Sequence, residues 1–236
     1  MSSFKILCTI CARGGSKGVR NKNIKKIHGK PLISYTIEQA KASGLFEHIV
    51  VSTDSDDIAN VSLKDGAEVF FKRSAEMSSD TAGKLEVIKD AFIRSEEYYG
   101  LQFDYLVDLD ATSPLRAVLD ITEAFEQFLT DKNANLITAT PSRRSPYFNL
   151  VEKNQFGQVT LSKNLGENVV RRQDAPKTYD MNASIYIWDR DTILNRNTLF
   201  LENTGLYVMP EERSVDIDSE LDYKIVELLM DKTHVK

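Results

Sequence analysis

Ile10-Cys-Ala-Arg-Gly-Gly-Ser-Lys-Gly-Val-Arg-Asn-Lys-Asn-Ile24 is the stretch on which the reading of this chain turns. An apolar run over residues 4–11 feeds directly into it, and Arg13, Lys17, Arg20 and Lys22 are interleaved with Gly14, Gly15, Ser16 and Gly18. A buried strand ending in such a loop presents backbone N–H groups and positive charge at the carboxyl edge of a sheet, which suits a phosphate chain. Glycines directly after a buried strand also predict close backbone approach by a ligand. The plain alternative is a solvated basic turn. The glycine spacing does not fit G-x-G-x-x-G, nor does the stretch fit G-x-x-x-x-G-K-[ST], so a dinucleotide fingerprint and a Walker-type loop are excluded.

The elements that follow alternate between strand and helix. Pro31 opens a helix whose apolar side is Leu32, Ile33, Ile37 and Ala40, and Gly44 ends it. Residues 48–52 read as a second strand. Ser55 caps the next helix, with Asp56 and Asp57 in its first turn, where negative charge suits the helix dipole. Residues 68–71 read as a third strand, a polar stretch leads to a helix over 82–97, and 104–110 form a fourth strand. Ile121, Ala124, Phe125, Phe128 and Leu129 mark an amphipathic helix, and 136–139 a fifth strand. Such alternation predicts an α/β fold with a Rossmann-like, mostly parallel, doubly wound sheet.

Between residues 141 and 180 the alternation breaks. The segment is too long for an ordinary loop, so it is expected to be a small inserted subdomain that covers the site or pairs with another subunit. It has β-like pieces near 148–152 and 158–161. Residues 184–189 and 206–209 return to the sheet, and 215–218 read as a short strand or turn. Ser219 and Asp222 form a capping box for a last helix with Leu221, Ile225, Leu228 and Leu229 on its apolar side. The whole of 1–236 is then one domain.

Composition narrows the function. The net charge of −5 gives no reason to expect a nucleic-acid partner, because the cations cluster locally. The longest apolar runs are strand-sized, so no membrane span is expected, and the amino terminus lacks the apolar core of a signal peptide. A cytoplasmic enzyme fits. Cys8 and Cys11 form a C-x-x-C, but within a strand a separation of three puts them on opposite faces, and no second cysteine pair exists. They read as buried, unreactive core residues.

Acidic residues supply the second signal. Asp216 and Asp218, at i and i+2 on an extended segment, share a face. Two adjacent carboxylates repel unless a cation sits between them, and Mg2+ on a triphosphate is the usual occupant; acidity at a helix start is the alternative. Asp54 and Asp110 end strands on the ligand-binding edge, and Asp108 shares a face with Asp110. Arg116 is placed to contact a ligand or to pair with one of these acids. Arg143, Arg144, Arg171 and Arg172 give the inserted segment an excess of guanidinium. Arginine grips carboxylates through paired hydrogen bonds, so an acidic second substrate is expected, with a solvated or subunit-contact patch as the alternative.

The sequence resembles the acylneuraminate cytidylyltransferases, the CMP-sialic acid synthetases. Ala12-Arg-Gly-Gly-Ser-Lys-Gly18 with Lys22-Asn23, Ile49-Val-Val-Ser-Thr-Asp54, Ser79-Asp80-Thr81, Thr112-Ser-Pro-Leu-Arg116 and Val215-Asp-Ile-Asp218 follow the family's order. The resemblance implies transfer of CMP from CTP to a nine-carbon ulosonic acid, with Mg2+ as cofactor, release of pyrophosphate and a homodimer formed through the inserted element. It implies that Ala12, Arg13, Gly14, Lys17, Lys22, Asn23 and Ser79 meet the nucleotide, and that Asp216 and Asp218 bind the metal. Arg13, Lys22, Asp216 and Asp218 become the catalytic candidates, and Asp110, Arg172, Asp180 and Asn182 the candidates for the sugar acid. Two departures stand out. Asp110-Ala111 replaces a common Gln-Pro, and Asp180 stands where an arginine is common. Both add a carboxylate on the expected sugar side, a pattern similar to the branch acting on legionaminic acid. Cytidylyltransferases for Kdo or pseudaminic acid, and a non-catalytic nucleotide-sugar binding protein, are the competing expectations.

Overall fold

A computed structural model describes residues 4–16, 18–166 and 171–233. The strands are β1 (Ile6–Cys11), β2 (Lys26–Ile27), β3 (Lys30–Pro31), β4 (His48–Ser52), β5 (Tyr105–Leu109), β6 (Asn135–Pro141), β7 (Val151–Lys153), β8 (Val159–Leu161), β9 (Tyr179–Asp189) and β10 (Thr204–Val208). The helices are α1 (Leu32–Ser43), α2 (Asp56–Lys64), α3 (Lys84–Tyr99), α4 (Val118–Thr130), α5 (Arg190–Asn195) and α6 (Glu220–Thr233). One six-stranded sheet, in the order β10-β6-β9-β5-β1-β4, carries the fold. The expected mostly parallel, doubly wound architecture is borne out.

Residues of β1 face alternate sides, as period-two geometry requires. Ile6, Cys8 and Ile10 pack with Ile33 and Ile37 of α1, Ile58 of α2 and Ile121 and Phe125 of α4. Leu7 packs on the other face with Ile88 and Phe92 of α3 and Ile193 of α5, joined by Cys11. Cys8 and Cys11 therefore lie on opposite faces, and burial, then the charge of Asp108, pushes both thiols up, so both stay protonated.

β9 pairs antiparallel with both β5 and β6. The chain leaves β6, makes the excursion over 142–178 and, among the described residues, returns without a crossover helix, consistent with the antiparallel sense. Within the excursion β7 and β8 form a hairpin whose strands are wholly exposed. A register shift in β9 coincides with Ala183 at φ 52°, a left-handed conformation that an L-residue adopts at some cost.

Two expectations are corrected. Residues 68–71 form no strand, only one parallel bridge from Glu68 to Val50, because the chain then turns so that Phe70 stacks on Tyr98 at 4.1 Å. In α6 the packed side is Tyr223, Val226 and Met230 against Val19, Ile27, Leu32 and Ile217, while Leu221, Ile225 and Leu228 are exposed. Both stripes have helical spacing, and the surface offered by the rest of the chain selects one. The capping box forms as expected: the Ser219 N–H donates to Asp222 Oδ2 at 2.7 Å, and the Asp222 N–H to Ser219 Oγ at 3.3 Å.

Candidate active site

The loop after β1 is braced from behind. The Ala12 N–H donates to the Ser52 carbonyl at 3.0 Å, and the Gly14 N–H to Asp54 Oδ1 at 2.8 Å. Asn23 is buried; its amide donates to the Arg13 carbonyl at 3.0 Å, while its Oδ1 has no partner among the described residues. Arg13 pairs with Asp80 at 2.9 Å, and its side chain is one-third exposed. Lys17 lies outside the described residues.

Gly18 has a reason other than the one expected. A Cβ there would lie 1.9 Å from the Asp218 carbonyl oxygen, so the glycine admits the acidic segment instead of a ligand. Lys22 ties the same segment down, donating to the Ile217 carbonyl and pairing with Asp218 at 3.2 Å. The far side is also anchored. The Ile217 N–H donates to the Thr112 carbonyl at 3.1 Å, and Arg213 grips both carboxylate oxygens of the fully buried Asp120, at 2.8 and 2.9 Å. The Asn182 amide donates to Ser214 Oγ at 3.0 Å.

Cys11, Arg13, Ser16, Gly18, Lys22, Asn23, Asp110, Thr112, Asp216 and Asp218 thereby line one cleft of about 340 Å³ at the carboxyl edge of β1 and β5. Asp110 Oδ1 accepts the Thr112 N–H and hydroxyl, at 3.0 and 2.7 Å, and Oδ2 accepts from Lys84 at 2.6 Å. Burial works against the Asp110 carboxylate, but the Lys84 charge and these bonds win and hold it down to about 2. Asp216, touching the Thr112 hydroxyl, is pushed up to about 6 by burial and by the Asp110 charge. Asp108 is fully buried beside them; it accepts the Thr9 hydroxyl at 2.8 Å, and burial raises it.

The remaining sequence-derived candidates lie elsewhere. Ser79 is exposed and outside the cleft lining; its hydroxyl is 3.2 Å from that of Thr81. Arg172 borders a second cavity of about 630 Å³ with Ser142, Lys177 and Tyr179, and it donates to the Ser142 carbonyl. Asp180 is exposed and accepts the Ser142 hydroxyl at 2.6 Å. Asn182 is buried, its Oδ1 taken by Thr138 at 2.7 Å, and it lines neither cavity. Arg116, 2% exposed, donates to the Ser184 and Asp110 carbonyls, at 2.6 and 3.4 Å, so it clamps backbone instead of gripping a carboxylate. Arg143 and Arg171 are spent on Glu211 and Asp174, at 3.6 and 2.8 Å.

Sequence reasoning missed Lys84, Thr112 and Arg213. For Lys84 a signal existed: a cation in the first turn of a helix opposes the dipole and calls for acids nearby. Among the described residues, no cluster of three or more His, Cys, Asp or Glu forms a ready-made metal cage.

The sequence profile described as "Cytidylyltransferase" matches residues 7–231. The chain is 58% identical over 226 residues to a CMP-N,N'-diacetyllegionaminic acid synthase of Campylobacter jejuni, covering 96% of this chain and 95% of that one. It is 57% identical over 232 residues to a post-translational flagellin modification protein B of Campylobacter coli, covering 98% and 97%. Among solved structures, a CMP:2-keto-3-deoxy-manno-octonic acid synthetase complexed with CTP superposes with a TM-score of 0.70 at 16% identity, covering 97% of this chain and 99% of that one.

Proposed function

This chain belongs to the cytidylyltransferase family, and from that premise we propose that it joins CMP from CTP to the anomeric hydroxyl of a nine-carbon ulosonic acid, N,N'-diacetyllegionaminic acid foremost, releasing pyrophosphate. The observation that carries the reading is the cleft in which Arg13, Lys22 and Asn23 of the loop face Asp216 and Asp218. The choice of acid rests on the 58% identity to the legionaminic acid synthase.

Arg13 and Lys22 offset the charge of the β- and γ-phosphates and of the departing pyrophosphate. Asn23 Oδ1, a buried acceptor without a partner among the described residues, is available to a nucleoside hydroxyl or amino group. The cleft holds the acceptor hydroxyl in line with the α-phosphorus, which removes most of the entropic cost of the encounter. No histidine is among its described lining residues, and Asp110 is engaged by Lys84 and Thr112, so the carboxylate of Asp216 is the group at hand to accept the hydroxyl proton.

The donor set fits Mg2+. Asp216 is raised by burial and then by the Asp110 charge; a hard dication compensates carboxylates gathered in one cleft, and magnesium is generally held by one or two carboxylates plus substrate phosphates. Asp216 and Asp218 would hold it, and when bound it neutralises charge on the triphosphate. A homodimer formed through the 141–180 segment fits the exposed Phe156, Val159 and Val151 of the hairpin region, 78%, 61% and 57% exposed. No described helix is long and apolar enough to cross a membrane, and dependence on CTP favours the cytoplasm.

Pyrophosphate release from CTP and Mg2+ with a panel of ulosonic acids tests the reading. Release with diacetyllegionaminic acid is expected. No release with any acid of the panel overturns the enzyme, and release with Kdo alone overturns the choice of acid.

A further inference from the structure

Lys84 stands at the first position of α3, where the helix dipole opposes a cation, yet its ammonium is drawn against Asp110, behind the cleft lining. It lies 2.6 Å from Asp110 Oδ2, 3.9 Å from Asp108 Oδ2, 3.5 Å from the Ala183 carbonyl and 4.7 Å from the centre of the Tyr186 ring. Its side chain is one-third exposed, and Asp110 beside it lines the cleft. The carbonyl it meets belongs to the left-handed Ala183 in the irregular part of β9, a local distortion in the strand that flanks β5.

Donor and acceptor capacity on the pair is unequal. Asp110 Oδ1 already takes two bonds from Thr112, and Oδ2 takes Lys84. An ammonium has three N–H groups, and only the bond to Asp110 is short. The Asp110 carboxylate thus has three of its roughly four acceptor sites taken within the protein, and most of what the pair has left to offer is N–H donors. Two carboxylates flank one ammonium, so the group carries no excess positive charge with which to attract a substrate carboxylate. A neutral oxygen, a hydroxyl or an acyl carbonyl, suits it instead. Arg13 and Lys22 of the loop suit the triphosphate, which leaves the part of the cleft at Asp110 for the acceptor.

We propose that Lys84, fixed by Asp110 and Asp108, is a specificity-determining residue that donates a hydrogen bond to a neutral oxygen of the acceptor sugar. The proposal rests on the cytidylyl-transfer reading above. A donor aimed at one substrate oxygen discriminates against acceptors that lack it, because the bound acceptor covers the ammonium and leaves it short of a partner.

The test compares wild type, Lys84→Met and Lys84→Arg with N-acetylneuraminic acid, its deaminated hydroxyl analogue and diacetyllegionaminic acid, at saturating CTP and Mg2+. For Lys84→Met the expected result is a loss of about ten- to hundredfold in kcat/KM for the best acceptor, a smaller loss for the poorer ones, and an unchanged KM for CTP. Lys84→Arg keeps the charge, folds, and shifts the ratios among acceptors because its planar fork reaches different oxygens. An equal loss for all three acids would mean that Lys84 reads their shared carboxylate or only supports the fold, and it overturns the proposal. So does a raised KM for CTP. Should Lys84→Met fail to fold, unchanged ratios in Lys84→Arg overturn it alone. No pyrophosphate release by the wild type would instead overturn cytidylyl transfer, and this proposal with it.

Discussion

The carbonyl oxygen of Asp218 occupies the space that a side chain on Gly18 would need, 1.9 Å from where its Cβ would be. Two segments about two hundred residues apart in sequence are therefore locked backbone to side-chain position, and the cationic loop cannot be altered there without moving the acids. Gly18→Ala is expected to lower Tm and to reduce pyrophosphate release by at least about tenfold, since backbone has to shift. Gly15, where an added Cβ meets nothing within 4 Å among the described residues, supplies the control: Gly15→Ala leaves Tm nearly unchanged.

Asp218 separates chemistry from folding, because its side chain is 80% exposed and its ion pair among the described residues is with Lys22. Asp218→Asn is expected to keep the wild-type Tm and lose about a hundredfold or more in kcat, as removal of a charge that acts on the reacting phosphates does. Steady-state kinetics beside a melting curve checks it. Activity within a few-fold of wild type removes Asp218 from the metal site.

Asp216 gives a pH signature to the protein without substrates. Its folded value of about 6 lies above the ordinary 3.8. A raised acid favours folding below its unfolded value, and that contribution is lost as pH rises through 6. Asp110, held down to about 2, acts oppositely, stabilising above 3.8 and losing this as pH falls through 2. Asp216→Asn is accordingly expected to melt a few degrees above wild type near neutral pH, with the difference shrinking as the solution is acidified toward the ordinary carboxylate range. Calorimetry across that range reads it; a variant less stable at neutral pH contradicts the sign.

Arg213 holds the acidic segment from outside the cleft by gripping the buried Asp120, which also accepts the Ala117 N–H at 2.8 Å. Arg213→Met leaves that carboxylate without its cation, at a cost of about 3 kcal/mol. The loss of stability is expected together with a raised Mg2+ requirement in the pyrophosphate assay, since Ser214 to Asp218 lose an anchor. Denaturant melts and a Mg2+ titration separate the two effects.

Much of the fold is legible in the sequence because it depends on local periodicity. The apolar spacing of Ile33, Ile37 and Ala40 defines α1, Ser55 marks the start of α2, and the run into Gly14 marks the end of β1. What stays hidden depends on distant partners. Nothing within residues 221–230 tells whether Leu221, Ile225 and Leu228 or Tyr223, Val226 and Met230 will be covered, since Val19, Ile27 and Leu32 decide it.

The antiparallel sense of β9 is hidden for the same kind of reason, as it follows from the route of the chain between β6 and β9. The motif around Asn182 suggests a sugar contact, whereas its side chain is engaged by Thr138 and Ser214. The partnership of Lys84 with Asp110 spans 26 positions and two elements, so only the misplaced charge at the start of α3 hints at it.

The most direct test of cytidylyl transfer is phosphorus NMR of the wild-type protein with CTP, Mg2+ and N,N'-diacetyllegionaminic acid. The predicted result is that the triphosphate signals give way to one phosphodiester signal and one pyrophosphate signal in equal molar amounts. Unchanged CTP with every nine-carbon acid tried, or conversion to CDP and inorganic phosphate, would contradict it.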